Sequence, residues 1–118
     1  MISMREAYEK IGADYDGASV RLMGEEMLAR FALKFLDDES MDKFEAAMAA
    51  GDAESAFMAV HTLKGVSQNL GFDNLYEPAV VVTEALRNAD TVDGARDGMH
   101  ALRQQYAATM SALREAAD

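Results

Sequence analysis

The chain has 118 residues, of which half are apolar, one is proline and none is cysteine. This is the length of one ordinary domain, so residues 1–118 are predicted to form a single domain without disulfides or thiolate-bound metals. With 11 basic and 21 acidic residues, the net charge of -10 disfavours nucleic acid and anionic membrane surfaces as partners. The N-terminus shows no signal-peptide pattern and no apolar run approaches the ~18 residues that span a bilayer, so a cytoplasmic location is predicted.

Two short helical segments are predicted within about residues 3–23. Ser3 and Glu6 fit a capping box, in which the hydroxyl and the carboxylate each bind backbone N–H groups at a helix start. This first helix is predicted to end at Gly12. Residues 14–17 are predicted to form a turn, and the second short helix follows that turn.

Beyond Gly24, apolar residues recur at steps of three and four, which indicates amphipathic helices. Asp52, Asp73 and Thr91 are predicted N-caps, and Pro78 is predicted to start or bend its helix. No stretch alternates convincingly with a period of two. The fold class is therefore all-α, an antiparallel up-down four-helix bundle over about residues 25–116 with additional short N-terminal helices. Helices are predicted over about 25–36, 41–50, 53–70, 74–86 and 92–113.

One histidine, His61, is predicted to face outward from the helix over 53–70. At 100° per residue, Lys64, Gly65 and Gln68 share its polar face. The apolar residues of the same helix point in the opposite direction, toward a bundle core. These are Ala56, Ala59, Leu63, Val66 and Leu70.

Gly65 contradicts helix propensity, because glycine inside a helix costs about 1 kcal/mol relative to alanine. A glycine one turn after an outward-facing histidine indicates that another molecule must come close to the backbone there. Imidazole has a reference pKa of about 6.5, so at neutral pH one ring nitrogen offers a lone pair to an electrophile. Lys64 would compensate negative charge during a phosphoryl transfer.

The residues from Ala59 to Gly65, together with Ser67, Leu70 and Gly71, fit the pattern His-x-Leu-Lys-Gly-x-Ser-x-x-Leu-Gly. In this the chain resembles the histidine-containing phosphotransfer (HPt) domains of multistep phosphorelays. The resemblance extends upstream and downstream of the motif and covers most of the chain. It is more specific than a lone short motif.

The resemblance implies that His61 reversibly exchanges a phosphoryl group with the aspartate of a response-regulator receiver domain. It also implies that Lys64 helps to hold the phosphoryl group, that Gly65 gives the receiver access, and that Gln68 lies at the docking surface. The implied partners are a receiver domain, a hybrid histidine kinase, or both, and the implied state is a monomer. Mg²⁺ is expected on the receiver, with no metal or cofactor bound by this chain and no autonomous kinase activity.

Three further residues are candidates for the surface around His61. Phe57 and Met58 either cover the side of the bundle or form an apolar contact for a docking receiver. Arg87 either adds a second positive group near the site or pairs with Glu84 as an ordinary surface residue.

Two other functions remain as alternatives. A noncatalytic helical adaptor would bind a receiver or a histidine kinase on the same surface without phosphotransfer. A hydrolase using His61 as a metal ligand or general base has less support, because neither a carboxylate nor a second histidine lies four residues after it.

Overall fold

The computed structural model describes residues 1–117, which form seven α-helices and two 3-10 helices without any strand. The all-α prediction is therefore confirmed. The α-helices are α1 Met4–Ile11, α2 Tyr15–Arg21, α3 Glu25–Lys34, α4 Ser40–Ala50, α5 Ala53–Asn69, α6 Asp73–Leu86 and α7 Met99–Ala116. The 3-10 helices are Phe35–Asp37 and Asp93–Gly98.

Helices α4 to α7 form an antiparallel bundle. Gly51, in the left-handed conformation with φ of 70°, ends α4 and lets the chain reverse into α5. Across the α6–α7 pair, the Asn74 amide donates to the Thr109 hydroxyl at 3.0 Å. Arg103 on α7 pairs with Glu45 on α4 at 2.6 Å, so the first and last bundle helices are also neighbours. The predicted four-helix bundle is confirmed.

The N-terminal segment begins as predicted, with a complete capping box formed by Ser3 and Glu6. The predicted turn at 14–17 is wrong, because α2 already begins at Tyr15. The Asp14 carboxylate accepts a hydrogen bond from the Gly17 amide, so a sequence typical of a turn acts here as a helix cap.

Asp73 is not the N-cap of α6 but its first residue. Phe72 takes the cap position, and its carbonyl accepts the amides of Leu75 and Tyr76. Pro78 consequently lies within the helix and not at its start. An aspartate in the first turn still favours the helix, because its charge complements the helix dipole.

The segment before α7 also differs from the prediction. Thr91 does not begin a continuous helix, because residues 93–98 are 3-10 helical and α7 starts at Met99. Val92 and Ala95 are buried as predicted, but a spacing of three fits the 3.0 residues per turn of a 3-10 helix as well as an α-helix. This segment packs closely on α6: a Cβ on Gly98 would lie 2.8 Å from Val82 Cγ2.

The N-terminal helices bind the C-terminal end of α5. The Tyr8 hydroxyl donates to the Leu70 carbonyl at 2.7 Å, within a cluster in which the Tyr8 and Phe72 rings lie 5.3 Å apart. Arg21 on α2 donates to the carbonyls of Gln68 and Asn69, both at 3.1 Å. The last carbonyls of a helix lack partners within it, so these contacts satisfy them and fix where α5 ends.

Gly71 is predicted to be the glycine least tolerant of substitution. Its φ is +74°, and a Cβ there would lie 2.5 Å from the Asp14 carbonyl oxygen and 2.9 Å from Ala18 Cβ. We expect Gly71→Ala to lower the free energy of unfolding by about 3 kcal/mol, from left-handed strain plus the clash. Urea denaturation followed by circular dichroism measures this loss.

Gly12→Ala is the matched control. Gly12 has a similar φ of +69°, but among the described residues no heavy atom lies within 4 Å of its added Cβ. Its substitution should therefore cost only the conformational part, about 1 kcal/mol. Equal losses of unfolding free energy in both variants would show that the close approach of Asp14 to Gly71 does not add to the destabilisation.

Candidate functional site

Helix α5 carries the candidate site and is firmly capped at its start. The Asp52 carboxylate accepts hydrogen bonds from the Ser55 amide at 3.1 Å and the Ser55 hydroxyl at 2.7 Å. Both bonds lower the pKa of Asp52 below its ordinary value, and the bond from the Ser55 hydroxyl has the larger effect. With Arg21 and Tyr8 at the other end, both termini of the helix that bears His61 are held by side chains.

The polar face of α5 points into solvent. His61, Gly65 and Gln68 are exposed, and Lys64 is partly buried. On the opposite face, the residues predicted to face the core are buried, except Val66, which is partly buried and packs against the core. The predicted outward orientation of His61 agrees with this placement.

Phe57 and His61 stack on the surface of α5. Their ring centroids are 5.4 Å apart with an interplanar angle of 15°, which fits two side chains one turn apart on a helix. The stack restricts how the imidazole can turn, and His61 remains exposed. Phe57 is also partly buried and packs against the core, as in the first of its two interpretations, and its contact with the His61 ring was not predicted from the sequence.

Arg87 reaches this stack from the end of α6. Its Cζ lies 5.2 Å from the Phe57 ring centroid. The same guanidinium pairs with Glu84, with Nε to Oε2 and Nη2 to Oε1 both at 3.1 Å. The predicted pairing of Arg87 with Glu84 is therefore present, and the guanidinium also lies beside Phe57, the neighbour of His61.

Glu84 lies in the electrostatic field of the site. Its carboxyl pKa is lowered, first by the hydrogen bond from Arg87 and then by the charges of Arg87, Lys64 and His61, while burial opposes the shift. The pKa of Arg87 is raised in turn, first by its hydrogen bond to Glu84. Glu84 and Arg87 are therefore both charged, and the pair lies beside the Phe57 ring.

The space beside Gly65 is open. A Cβ built there meets no heavy atom within 4 Å among the described residues beyond its own helix. Packing within the chain therefore does not require a glycine at this position. The explanation for Gly65 that remains from the sequence analysis is that it leaves room for another molecule to approach the helix.

Two grooves lie along α5 on the side that faces α3 and α4. A groove of about 600 Å³ runs between α4 and α5 and is lined by Met58, which is 60% exposed, and by Thr62. A second groove, of about 410 Å³, lies between α3 and the end of α5 and is lined by Phe31 and Val66. Both grooves place partly exposed apolar side chains next to the polar face.

Two features of the site were missed by reasoning from the sequence alone. Counting outward from the turn at Gly71 brings the region around Thr83 opposite His61, but it does not show that Thr83 itself is fully buried and bonds the Ala79 carbonyl at 2.6 Å. Its neighbour Glu84 is exposed and pairs with Arg87, which lies beside Phe57. Arg21 gave no local signal, because its partners lie 47 and 48 residues away.

Within residues 1–117, no three His, Cys, Asp or Glu side chains are grouped so as to hold a metal ion. In the same part of the chain, no helix combines the length and the apolar character needed to cross a membrane. His100 lies exposed on α7, away from α5.

Comparison with known proteins gives one match. The family model described as Hpt domain matches residues 26–116, a span that includes His61 and all of α4 to α7. Neither the curated proteins nor the solved structures gave a match. Because the matched span is far more than half of the chain, the protein belongs to the Hpt domain family.

Proposed function

We propose that this protein is a phosphorelay intermediate that accepts a phosphoryl group on His61 and exchanges it reversibly with the aspartate of a response-regulator receiver domain. The observation that carries the proposal is the joint placement of an exposed imidazole, a lysine one turn on and an open glycine turn on one face of α5. Membership of the Hpt domain family supports the same role.

The transfer is a single displacement at phosphorus. The lone pair of one His61 ring nitrogen attacks the phosphorus of the aspartyl phosphate and forms a P–N bond. The P–O bond to the aspartate breaks, and its electron pair remains on the released carboxylate. Lys64 offsets the negative charge of the phosphoryl oxygens, and the stack with Phe57 keeps the imidazole oriented for in-line attack.

The divalent cation for this step is expected on the receiver. Mg²⁺ there would neutralise the aspartyl phosphate, and this chain would supply positive charge only through its side chains. The chain would carry phosphate between partners without autonomous kinase activity, acting as a monomer in the cytoplasm.

The docking surface would centre on His61 and extend over the rest of the exposed face. Gln68 would contact the receiver beyond Gly65, and Met58, with 60% of its surface exposed, would add an apolar contact on the side of α4. A hybrid histidine kinase would present its own receiver domain to this same surface.

Phosphotransfer profiling tests the function. The purified protein is incubated with receiver domains from the same genome that carry labelled aspartyl phosphate. We expect one or more receivers to give an acid-labile, alkali-stable label on the protein and to recover it in the reverse reaction. Binding to a receiver without any transfer of label would favour the noncatalytic adaptor instead.

Lys64→Gln is expected to slow this transfer about tenfold, because one compensating charge next to the phosphoryl group is lost. Label should still appear, since the nucleophile is intact. Lys10→Gln is the matched control: Lys10 lies on α1 and pairs with Glu115 on α7 at 2.8 Å. A transfer rate of Lys64→Gln equal to that of the control would remove Lys64 from the mechanism.

A further inference from the structure

The Arg87 guanidinium makes two contacts at once, one with Glu84 and one with Phe57. Its Nε and Nη2 atoms both bind the Glu84 carboxylate, while its guanidinium lies over the ring of Phe57. Phe57 in turn stacks on His61 at 5.4 Å. Glu84, Arg87, Phe57 and His61 therefore form a continuous row of side chains across α6 and α5.

The ion pair at the end of this row is easily exchanged. The side chains of Arg87 and Glu84 are 45% and 56% exposed, and ion pairs in such surroundings contribute little to stability. A phosphoryl group on His61 would bring three acceptor oxygens and close to two negative charges to the other end of the row. Guanidinium binds phosphate oxygens in the same two-pronged geometry that it now uses on the carboxylate.

We propose that Glu84 is a positioning residue that acts through Arg87. While His61 is unmodified, Glu84 holds Arg87 beside the stack of Phe57 and His61. When His61 becomes phosphorylated, the Arg87 guanidinium leaves the Glu84 carboxylate and binds the phosphoryl oxygens. The inference rests on the proposed function, since it concerns the phosphorylated state of the same histidine.

The exchange has a consequence for the phosphorylated protein. With Arg87 on the phosphoryl group, Glu84 is left unpaired next to a dianion, and the two repel each other. This repulsion and the competition for Arg87 both make the phosphorylated state less favourable. Glu84 thus shortens the lifetime of the phosphoryl group on His61, whereas a neutral residue at position 84 would lengthen it.

The test uses phosphoramidate, a small phosphoryl donor that needs no protein partner. The His61 ring nitrogen attacks its phosphorus, the P–N bond to the amino group breaks, and ammonia leaves. Four proteins are compared with wild type: Glu84→Gln, Arg87→Gln, the double variant, and Glu77→Gln. Glu77 is exposed on the same helix, so its variant controls for the loss of one negative charge.

Two readouts are followed by NMR. In wild type, the Arg87 Nε–H resonance should shift when His61 is phosphorylated, because the guanidinium changes partner. The phosphoryl group should persist about threefold longer in Glu84→Gln and about threefold shorter in Arg87→Gln, in keeping with the small energy of an exposed ion pair. Most of the effect of Glu84→Gln should vanish once Arg87 is also replaced.

Three results would overturn the inference. The first is an Arg87 Nε–H resonance that does not shift when His61 is phosphorylated. The second is a phosphoryl lifetime in Glu84→Gln equal to that in Glu77→Gln. The third is an effect of Glu84→Gln on this lifetime that is equally large when Arg87 is also replaced. The last result would mean plain repulsion without positioning. Since phosphoramidate replaces the receiver, failure of exchange with every receiver would refute the proposed function while leaving this measurement valid.

Discussion

His61→Gln should abolish acquisition of label from a phosphorylated receiver while leaving the fold intact. A carboxamide is similar in size to imidazole but offers no basic nitrogen lone pair, so no P–N bond forms. His61 is exposed and its ring contacts Phe57 at the surface, so the variant should lose at most about 1 kcal/mol of stability. Label transfer and thermal unfolding, measured on the same preparation, check both parts.

The chain provides a matched control for this variant. His100 is its only other histidine, and it lies exposed on α7. His100→Gln should take up label at the wild-type rate. Label that survives in His61→Gln would refute His61 as the acceptor, and loss of label in both variants would point to a general effect of histidine replacement.

Gly65→Gln should reduce the rate of phosphotransfer by about a hundredfold, because a long side chain fills the clearance beside the nucleophile and misplacement of reacting groups by about 1 Å has effects of this size. The same change should raise the free energy of unfolding by about 0.5 to 1 kcal/mol, since glutamine is a better helix former than glycine. An added Cβ meets open space there, so no packing penalty opposes the gain. Transfer kinetics and urea denaturation measure the two effects.

Gly65→Ala and Ala107→Gln complete this comparison. Alanine adds one methyl group to the helix at the same position, so it should stabilise similarly but slow transfer far less. Ala107 is exposed on α7, and glutamine there tests a similar side chain away from the site. Loss of folding in Gly65→Gln together with unchanged transfer would mean that the glycine serves the structure of the protein instead.

The sequence was most informative where structure depends on neighbours along the chain. The cap at Asp52 and the glycine turn after Leu70 predicted a helix over 53–70, against 53–69 in the structure. The polar face with His61 followed from helical geometry alone. Local capping and periodicity are sufficient for such features, because the interactions that decide them span only three or four residues.

The segments where prediction failed depend on contacts between distant parts of the chain. The stretch before Met99 is 3-10 helical and packs against Val82, and a spacing of three residues does not distinguish the two helix types. Which α6 residues are exposed depends on the rotation of α6 within the bundle, which buries Thr83 and exposes Glu84. Neither property is encoded in a short window of sequence.

The hydrogen bonds from Tyr8 and Arg21 to the end of α5 bear on where this domain is taken to begin. The family match starts at residue 26, yet Tyr8 is completely buried and Arg21 supplies a positive charge at the negative end of the α5 dipole. A fragment cut to the matched span would remove both groups from the helix that presents His61. The unit to transplant into a chimeric signalling protein therefore includes α1 and α2.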